Sequence, residues 1–301
     1  MREIVVISGK GGTGKTSLTA AFAHLARNKI VCDLDVDAPD LHILLAPRHL
    51  RTEPFVSGHV ARIDASRCTR CGICASVCRF GAIASRGGAF TVDPVRCEGC
   101  KVCVAWCPEK AVAFPAKTCG EWHVSATRFG AMVHARLNPG EENSGRLVAL
   151  LRREAREQAL SQEKELILSD GSPGIGCPVI SSLTGASLAV AVTEPTPSGV
   201  HDFVRVAELC GHFKVPVAVI VNKHDLSPDQ TRSIEDYCEA KGHTLAGRIP
   251  FSPDMTTAML DRKAVTEIPS PLGRTVRDIW KKIARAASLA DAPTLKASQG
   301  A

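Results

Sequence analysis

Eight cysteines between Cys68 and Cys107 constrain this chain more than any other feature. Cys68, Cys71, Cys74 and Cys78 follow a C-x2-C-x2-C-x3-C spacing. Cys97, Cys100, Cys103 and Cys107 repeat it, with Pro108 after the last. Three closely spaced thiolates face three irons of one cubane, and the fourth cysteine of each run is carried on to the other cluster. The spacing therefore predicts two 4Fe–4S clusters. Cys68, Cys71, Cys74 and Cys107 hold the first, and Cys97, Cys100, Cys103 and Cys78 the second. Zinc fits less well, since its sites take two separated pairs of ligands rather than two quartets. Disulfides fit worse, because C-x2-C neighbours bridge poorly. Arg79 stands where such a run normally carries proline, which alters a turn and not a ligand.

Thirteen cysteines with no secretory signal point to a reducing, cytoplasmic compartment. The start, MREIVVISGK, runs straight into a strand pattern and reads as leaving no room for a targeting segment. No apolar run approaches the roughly 18 residues that a membrane helix needs. The formal charge of +6 would suit an anionic partner. Two oxidised clusters with their thiolates would bring about −4, leaving about +2. No Lys/Arg–aromatic interleaving supports nucleic-acid binding either. Neither nucleic acid nor a membrane is expected as a partner.

The 301 residues allow one large α/β domain plus a small insert. Ile4 to Ile7 is a short apolar run of the kind that forms a buried parallel strand. It leads into Gly9, Lys10, Gly11, Gly12, Thr13, Gly14, Lys15, Thr16 and Ser17, a G-x4-G-K-[ST] loop that opens an amphipathic helix over 16–27. Strand before and helix after are the context of a phosphate-binding loop. Its glycines let backbone N–H groups curl round phosphate oxygens at a helix N-terminus. Lys15 is expected to reach the β- and γ-phosphates, and Thr16 to coordinate Mg2+.

Ile30 to Asp35 reads as the second strand. Asp33, Asp35, Asp37 and Asp40 cluster at its C-terminal edge, where open parallel sheets bind ligands. Asp35, placed at the strand tip, is the candidate to orient or deprotonate an attacking water. Asp37 and Asp40 fit a solvated acidic loop as well. Pro47 to Arg62 reads as a polar connection, and Glu121 to Arg136 as irregular strand. The cysteine-rich stretch between them, 63–115, repeats with a 29-residue offset. Its core is small, so the clusters act as its staples, and without iron it should be disordered.

A loop at 139–145 opens a helix reaching about Glu163. The next buried strand, Glu165 to Ser169, ends at Asp170, the arrangement in which a carboxylate holds Mg2+ through water. Leu188 to Thr193, Val217 to Val221 and Leu245 to Ile249 are further buried strands. Asn222 can both donate and accept, which suits a purine edge, and Lys223 follows it. The loop after Ile249 is placed to close over the base. Cys32, Cys210 and Cys238 read as core thiols, and Cys119 is unassigned. The ten histidines show no metal-ligand spacing. The four parts are therefore 1–62, 63–115, 116–287 and a structureless tail, 288–301.

Taken together, KGGTGKT, DLDVDAPDLH, the cysteine run, ARLNPGEENSG, DGSPGIGCPV, VTEPTPSG and VNKHD resemble one family. The chain is similar to MinD-superfamily P-loop ATPases with an inserted bacterial-type ferredoxin domain, relatives of MinD, ParA, Mrp and the nitrogenase iron protein. The resemblance covers about Arg2 to Asp261. It implies a mostly parallel α/β sheet of the P-loop class with an α+β insert, binding of ATP and Mg2+, and a nucleotide-sandwich dimer. The dimer would form with a second copy or with a similar ATPase. It also implies that Lys10 reaches the partner's phosphates as an arginine finger does. Asp35 takes the switch carboxylate's place, Asp170 that of the Mg2+-holding carboxylate, and Asn222 that of the adenine contact. Asn222-Lys223-His224-Asp225 also fits the guanine-reading N-K-x-D. ATP is preferred because the lysine-first loop goes with it. Cys177 lies near where relatives place ligands of a bridging cluster, or else is a small packed residue before Pro178.

The main expectation is an ATP-hydrolysing enzyme that couples nucleotide state to electron transfer with a partner protein. The insert follows the switch strand closely in sequence, so a moving switch would move it. One alternative is an ATP-dependent carrier or assembly protein for iron–sulfur or other metal clusters. Another is a positioning ATPase like MinD or ParA, of which the MinD type usually needs a terminal amphipathic membrane helix. The basic amphipathic segment 278–285 is expected to pack on the sheet instead.

Overall fold

The structure is a computed structural model that describes residues 1–141 and 144–289. Of the tail expected from 288, only Ser288 and Leu289 fall within it; the rest, like Glu142 and Asn143 of the 139–145 loop, lies outside the described residues. In chain order the elements begin with β1 (Arg2–Ser8), α1 (Lys15–Leu25), β2 (Lys29–Asp33), α2 (Leu41–Leu45) and β3 (Arg48–His59). The cysteine-rich stretch carries β4 (Arg62–Ile63), α3 (Ile73–Ser76), β5 (Ile83–Arg86), β6 (Ala89–Val92), α4 (Val102–Ala105) and β7 (Val112–Ala113). Then come β8 (Ala116–Thr127), β9 (Gly130–Leu137), α5 (Ser144–Ser161), β10 (Leu166–Pro173), α6 (Cys177–Leu183), β11 (Leu188–Thr193) and α7 (Pro197–His212). The chain closes with β12 (Val217–Asn222), α8 (Pro228–Lys241), β13 (Thr244–Ile249), α9 (Pro253–Leu260) and α10 (Pro271–Ala286).

The chain divides into two compact units. The larger comprises Met1–Thr52, Trp122–Arg136 and the residues from Ser144 on; the smaller comprises Glu53–Glu121 and Leu137–Asn143. The larger unit is built on a sheet of order β13-β12-β11-β1-β10-β2-β9-β8-β3, of whose last two strands only Trp122–Thr127 and Arg48–Thr52 belong to that unit. The pairs from β13 to β9 run parallel. The apolar runs explain this, because both faces are covered. Ile4 and Val6 point into a core shared with α1 and α10, where Phe22 stacks on Trp280 at 5.3 Å. Val5 and Ile7 point into the opposite core, with α6, α7 and α8. Each such side chain contributes about 1.5–3 kcal/mol of burial. The sheet order reverses at β1, which lies between β10 and β11, and ligand crevices of open sheets form at such a switch point. Glu3, buried on β1, accepts from Arg152 Nε at 2.6 Å and Arg156 Nη2 at 2.8 Å, fastening α5 to the sheet.

Three local expectations need correction. The stretch 47–62 is not merely a connection, since β3 fills twelve of its residues. It is an edge strand with only Phe55 and Ser57 buried, so it lacks the alternation that betrays a strand. The stretch 121–136 is not irregular; it holds most of β8 and β9, joined by a two-residue turn. The second strand ends at Asp33, so Asp35 lies two residues past the tip. The basic amphipathic segment 278–285 packs inward as expected: Leu272, Val276, Ile279, Trp280 and Ile283 of α10 are buried in the core.

The smaller unit shows the 29-residue repeat in its backbone. Helix α3 recurs as α4 at that offset. The left-handed positions recur too: Arg70 and Gly99, Gly72 and Lys101, Gly81 and Lys110 all have φ between 50° and 81°. Ala82 N–H donates to Cys78 Sγ and Ala111 N–H to Cys107 Sγ, both at 3.3 Å. Strands β4 and β7, and β5 and β6, pair antiparallel. The buried apolar core is Ala61, Cys74, Ile83, Cys103 and Val112.

Candidate nucleotide site and cysteine cavities

The loop between β1 and α1 curls because Gly12 and Gly14 adopt φ of 80° and 90°. Gly14 also has no room for a side chain: a Cβ there would lie 2.5 Å from Asn222 Nδ2. The loop borders a cleft of about 780 Å3, lined by Gly11 to Ser17, Asp35, Asn222 and Lys223 among others. Of the expected nucleotide-site residues, Gly9, Lys10 and Asp170 do not line it.

Asp170 lies beneath, fully buried. Its Oδ1 accepts from Lys15 Nζ at 3.1 Å and Thr19 Oγ1 at 2.9 Å, and its Oδ2 from Thr16 Oγ1 at 2.7 Å. Lys15 Nζ also donates to Asp35 Oδ2 at 3.2 Å. Burial alone would lower the Lys15 pKa, but Asp170, Asp35 and Asp33 outweigh it and raise it. Burial raises the Asp35 carboxyl against the pull of Lys15. Asp33, also buried, is pushed well above the usual carboxylate range by burial and then by Asp170. Its Oδ1 accepts from Asp35 N–H at 3.1 Å, while its Oδ2 has no partner. Thr13 Oγ1, buried in the loop, has none either. Three carboxylates face one ammonium, and a carboxylate oxygen and a hydroxyl are left over. Added Mg2+ and phosphate would satisfy both, so these residues fit Mg-nucleotide.

At the far end of the cleft Asn222 is already committed. Its Nδ2 donates to Thr13 O at 2.7 Å, and its Oδ1 accepts from Lys223 N–H at 3.0 Å. Asp225 does not line the cleft. Its Oδ1 accepts from Phe251 N–H at 2.7 Å, which braces the loop after β13. Phe251, 62 % exposed, lines the cleft with Pro250 and Met255, an apolar wall for a flat ring. The aspartate of N-K-x-D thus holds protein backbone and does not face the base cavity.

Sequence reasoning gave no role to Glu194, which follows β11 as Asp170 follows the apolar run of β10. Glu194 Oε1 lies 2.6 Å from Lys10 Nζ, and Oε2 lies 3.0 Å from Lys223 Nζ. Position at the C-terminal sheet edge was the available signal. Thr19 and the orphan oxygen of Asp33 were also missed. So was a group of three imidazoles, His49 on β3, His123 on β8 and His134 on β9, with ring centroids 4.2–5.4 Å apart. It was invisible while β3 went unread.

The cysteines of the smaller unit border two cavities. Cys68, Cys71, Cys74 and Cys107 line one; Cys78, Cys97, Cys100 and Cys103 line the other. Each is otherwise walled mostly by apolar groups, such as Ile63 and Phe90, or Ile83 and Phe114. All thirteen thiols are free. Among the described residues, no three His, Cys, Asp or Glu side chains converge closely enough to hold a single metal ion. A cubane is held differently from one ion, since its four thiolates surround a cage. The residues present fit such a group. Cys32, Cys119, Cys210 and Cys238 are buried, whereas Cys177 is exposed at the start of α6, with its Cβ close against Gly145.

Residues 4–265 match the family model described as the CobQ/CobB/MinD/ParA nucleotide-binding domain. An uncharacterised protein of Methanocaldococcus jannaschii is 28% identical over 284 residues, covering 93% of this chain and 96% of the relative. Among solved structures, the cell-division ATPase MinD of Pyrococcus furiosus aligns with a TM-score of 0.56 at 18% identity, over 94% of this chain and 98% of that one. MinD of Pyrococcus horikoshii, complexed with Mg-ADP, aligns with a TM-score of 0.57 at 16% identity, over 95% and 97%. At these identities the two structures establish a shared fold.

Proposed function

The chain belongs to the CobQ/CobB/MinD/ParA nucleotide-binding family, and from that premise we propose an ATP-hydrolysing, Mg2+-dependent switch that couples its nucleotide state to electron transfer through two 4Fe–4S clusters. The observation that carries the nucleotide half is the Lys15–Asp170–Thr16 network with its unpartnered Asp33 oxygen. Lys15 balances charge on the transferred phosphoryl, Thr16 and Asp170 hold Mg2+, and Asp35 orients or deprotonates the attacking water. Lys10 serves the partner's nucleotide in a dimer with a second copy. ATP is favoured over GTP because Asp225 is spent on Phe251.

The cysteine cavities support the redox half. Cys68, Cys71, Cys74 and Cys107 would hold one cluster, and Cys78, Cys97, Cys100 and Cys103 the other. When bound, each cluster supplies one-electron transfer at a potential tuned by its surroundings. The Ala82 and Ala111 N–H groups, aimed at Cys78 and Cys107, stabilise thiolate charge. Anaerobic reconstitution tests this: about eight irons per chain with a 4Fe–4S spectrum are expected. About half should remain in Cys71→Ser/Cys74→Ser. No spectrum after reconstitution ends the redox reading.

A positioning ATPase of the MinD/ParA kind is the second reading, and the likeness to MinD structures favours it. The buried apolar face of α10 weighs against that helix serving as a membrane anchor. Co-sedimentation with anionic liposomes in ATP separates the readings. A cluster carrier is the third, distinguished by ATP-accelerated transfer of iron and sulfide to an apo-acceptor.

A further inference from the structure

Lys10 is the one lysine of the phosphate loop that does not line the cleft. Its ammonium has three donors, and three oxygens take them: Glu194 Oε1 at 2.6 Å, Thr196 Oγ1 at 3.2 Å and Ser198 Oγ at 3.2 Å. The other oxygen of Glu194 takes Lys223 Nζ at 3.0 Å, which also donates to Gly12 O at 3.3 Å. Side-chain exposure is 13% for Glu194 and 30% for Lys10, so the pair is partly screened from water without being sealed in.

The receptor is rigid. Glu194 O accepts from Thr196 N–H at 2.8 Å, and Thr196 Oγ1 caps α7 by accepting from Gly199 N–H at 3.0 Å. Thr193 Oγ1 donates to Gly199 O at 3.1 Å. Gly199 packs against Glu194 O so closely that any side chain there would collide with it. The carboxylate is therefore presented from a fixed turn, and its own backbone need not move when Lys10 leaves. Two lysines also hold its charge, and burial does not outweigh them, so its carboxyl stays below its ordinary pKa.

We propose that Glu194 acts as an internal stand-in for phosphate, which holds Lys10 at the rim of the cleft and yields it only to the nucleotide phosphates of a second copy. Glu194 thereby sets how much protein is needed before ATP draws two copies together. The proposal rests on the reading of this chain as an ATP-driven switch that pairs with itself. The physical basis is competition between anions. A carboxylate offers Lys10 one charge, whereas a triphosphate with its spread oxygens offers more, so exchange runs forward only when nucleotide is present. Lys223 remains tied to Gly12 O and keeps the loop in place.

The test is sedimentation velocity of the full chain with Mg2+ and a non-hydrolysable ATP analogue, on wild type, Glu194→Gln, Lys10→Ala and the double variant. Binding of a fluorescent ATP analogue is measured separately on each. Losing a partly exposed ion pair should lower the self-association midpoint of Glu194→Gln about 5-fold. The double variant should match Lys10→Ala, since the effect runs through that lysine. Ser198→Ala, which removes one neutral partner, should shift the midpoint about 2-fold the same way. An unchanged or raised midpoint in both Glu194→Gln and Ser198→Ala, or a shift that persists without Lys10, overturns the proposal. Weaker nucleotide binding without tighter association also overturns it, and marks Glu194 as structural. Wild type that binds nucleotide yet stays monomeric refutes self-pairing and the latch with it; wild type that binds no nucleotide refutes the underlying reading.

Discussion

Asp33 is the least comfortable residue in the nucleotide site. It is the third carboxylate around Lys15, with one oxygen given to Asp35 N–H and the other unpartnered. Its folded pKa is raised, by burial and then by Asp170. A carboxyl raised on folding leaves the native state holding more protons than the unfolded chain just above the ordinary carboxylate range. Its contribution is thus most favourable in acid and becomes a cost as pH rises through the folded value. At neutral pH without metal, Asp33→Asn removes that cost and keeps an oxygen for Asp35 N–H. The expected gain in metal-free stability is about 1–3 kcal/mol, read as a higher Tm. The variant should also lose most of the Tm rise that Mg-ATP gives wild type, since the anion that welcomes Mg2+ is gone. A lower metal-free Tm in Asp33→Asn would show that Asp33 is already satisfied by its protein neighbours.

Strands β3, β8 and β9 raise the question of what their histidines do. Ser125 Oγ bonds to both His49 Nδ1 and His134 Nε2, at 3.2 and 2.9 Å, and Thr52 Oγ1 pairs with His123 Nδ1 at 3.0 Å. His134 is pushed down to about 3 by burial first, then by His123, His49 and His42. The unfolded chain takes up this proton near pH 6.5 and the native chain only near pH 3. Stability should therefore fall as pH drops through that window, by at most about 1.4 kcal/mol per pH unit from this group. Denaturant titrations between pH 7 and pH 4 should show a shallower decline for His134→Gln, which keeps a hydrogen-bonding group beside Ser125. Equal slopes would place the acid sensitivity elsewhere. The same strands show where the sequence was silent. The central strands could be read because Ile4–Ile7 or Val217–Val221 are apolar throughout, buried on both faces. In β3 only Phe55 and Ser57 are buried, so neither run nor alternation marks it. The phosphate loop was legible because glycine spacing is local. The Lys10–Glu194 pair joins residues 184 positions apart and has no local signature.

At the scale of the molecule, the two units differ in what holds them together. The larger has two extensive apolar cores, one on each face of the sheet. The smaller has one core cluster of five buried residues, two of them cysteines, and among the described residues only Phe55, Ala82, Ala111 and Cys119 are buried apolar groups besides, around two short strand pairs and two single-turn helices. A core of that size cannot offset the ordering of some seventy residues at about 1.5 kcal/mol each. The repeated left-handed turns at Arg70, Lys101 and Lys110 add strain that glycine would avoid. If iron and sulfide fill the two cavities, their bonds to eight thiolates supply the missing stabilisation, and folding of this unit is coupled to cluster binding. Removing iron anaerobically with a chelator should then abolish slow amide exchange across 62–113 while leaving β1, β10 and β12 protected. Cleavage by a protease at the arginines of 62–96 should rise at least 10-fold under the same treatment. Equal protection of both units with and without iron would mean that the smaller unit folds on its own, and that its cysteines border the two cavities for some reason other than holding clusters.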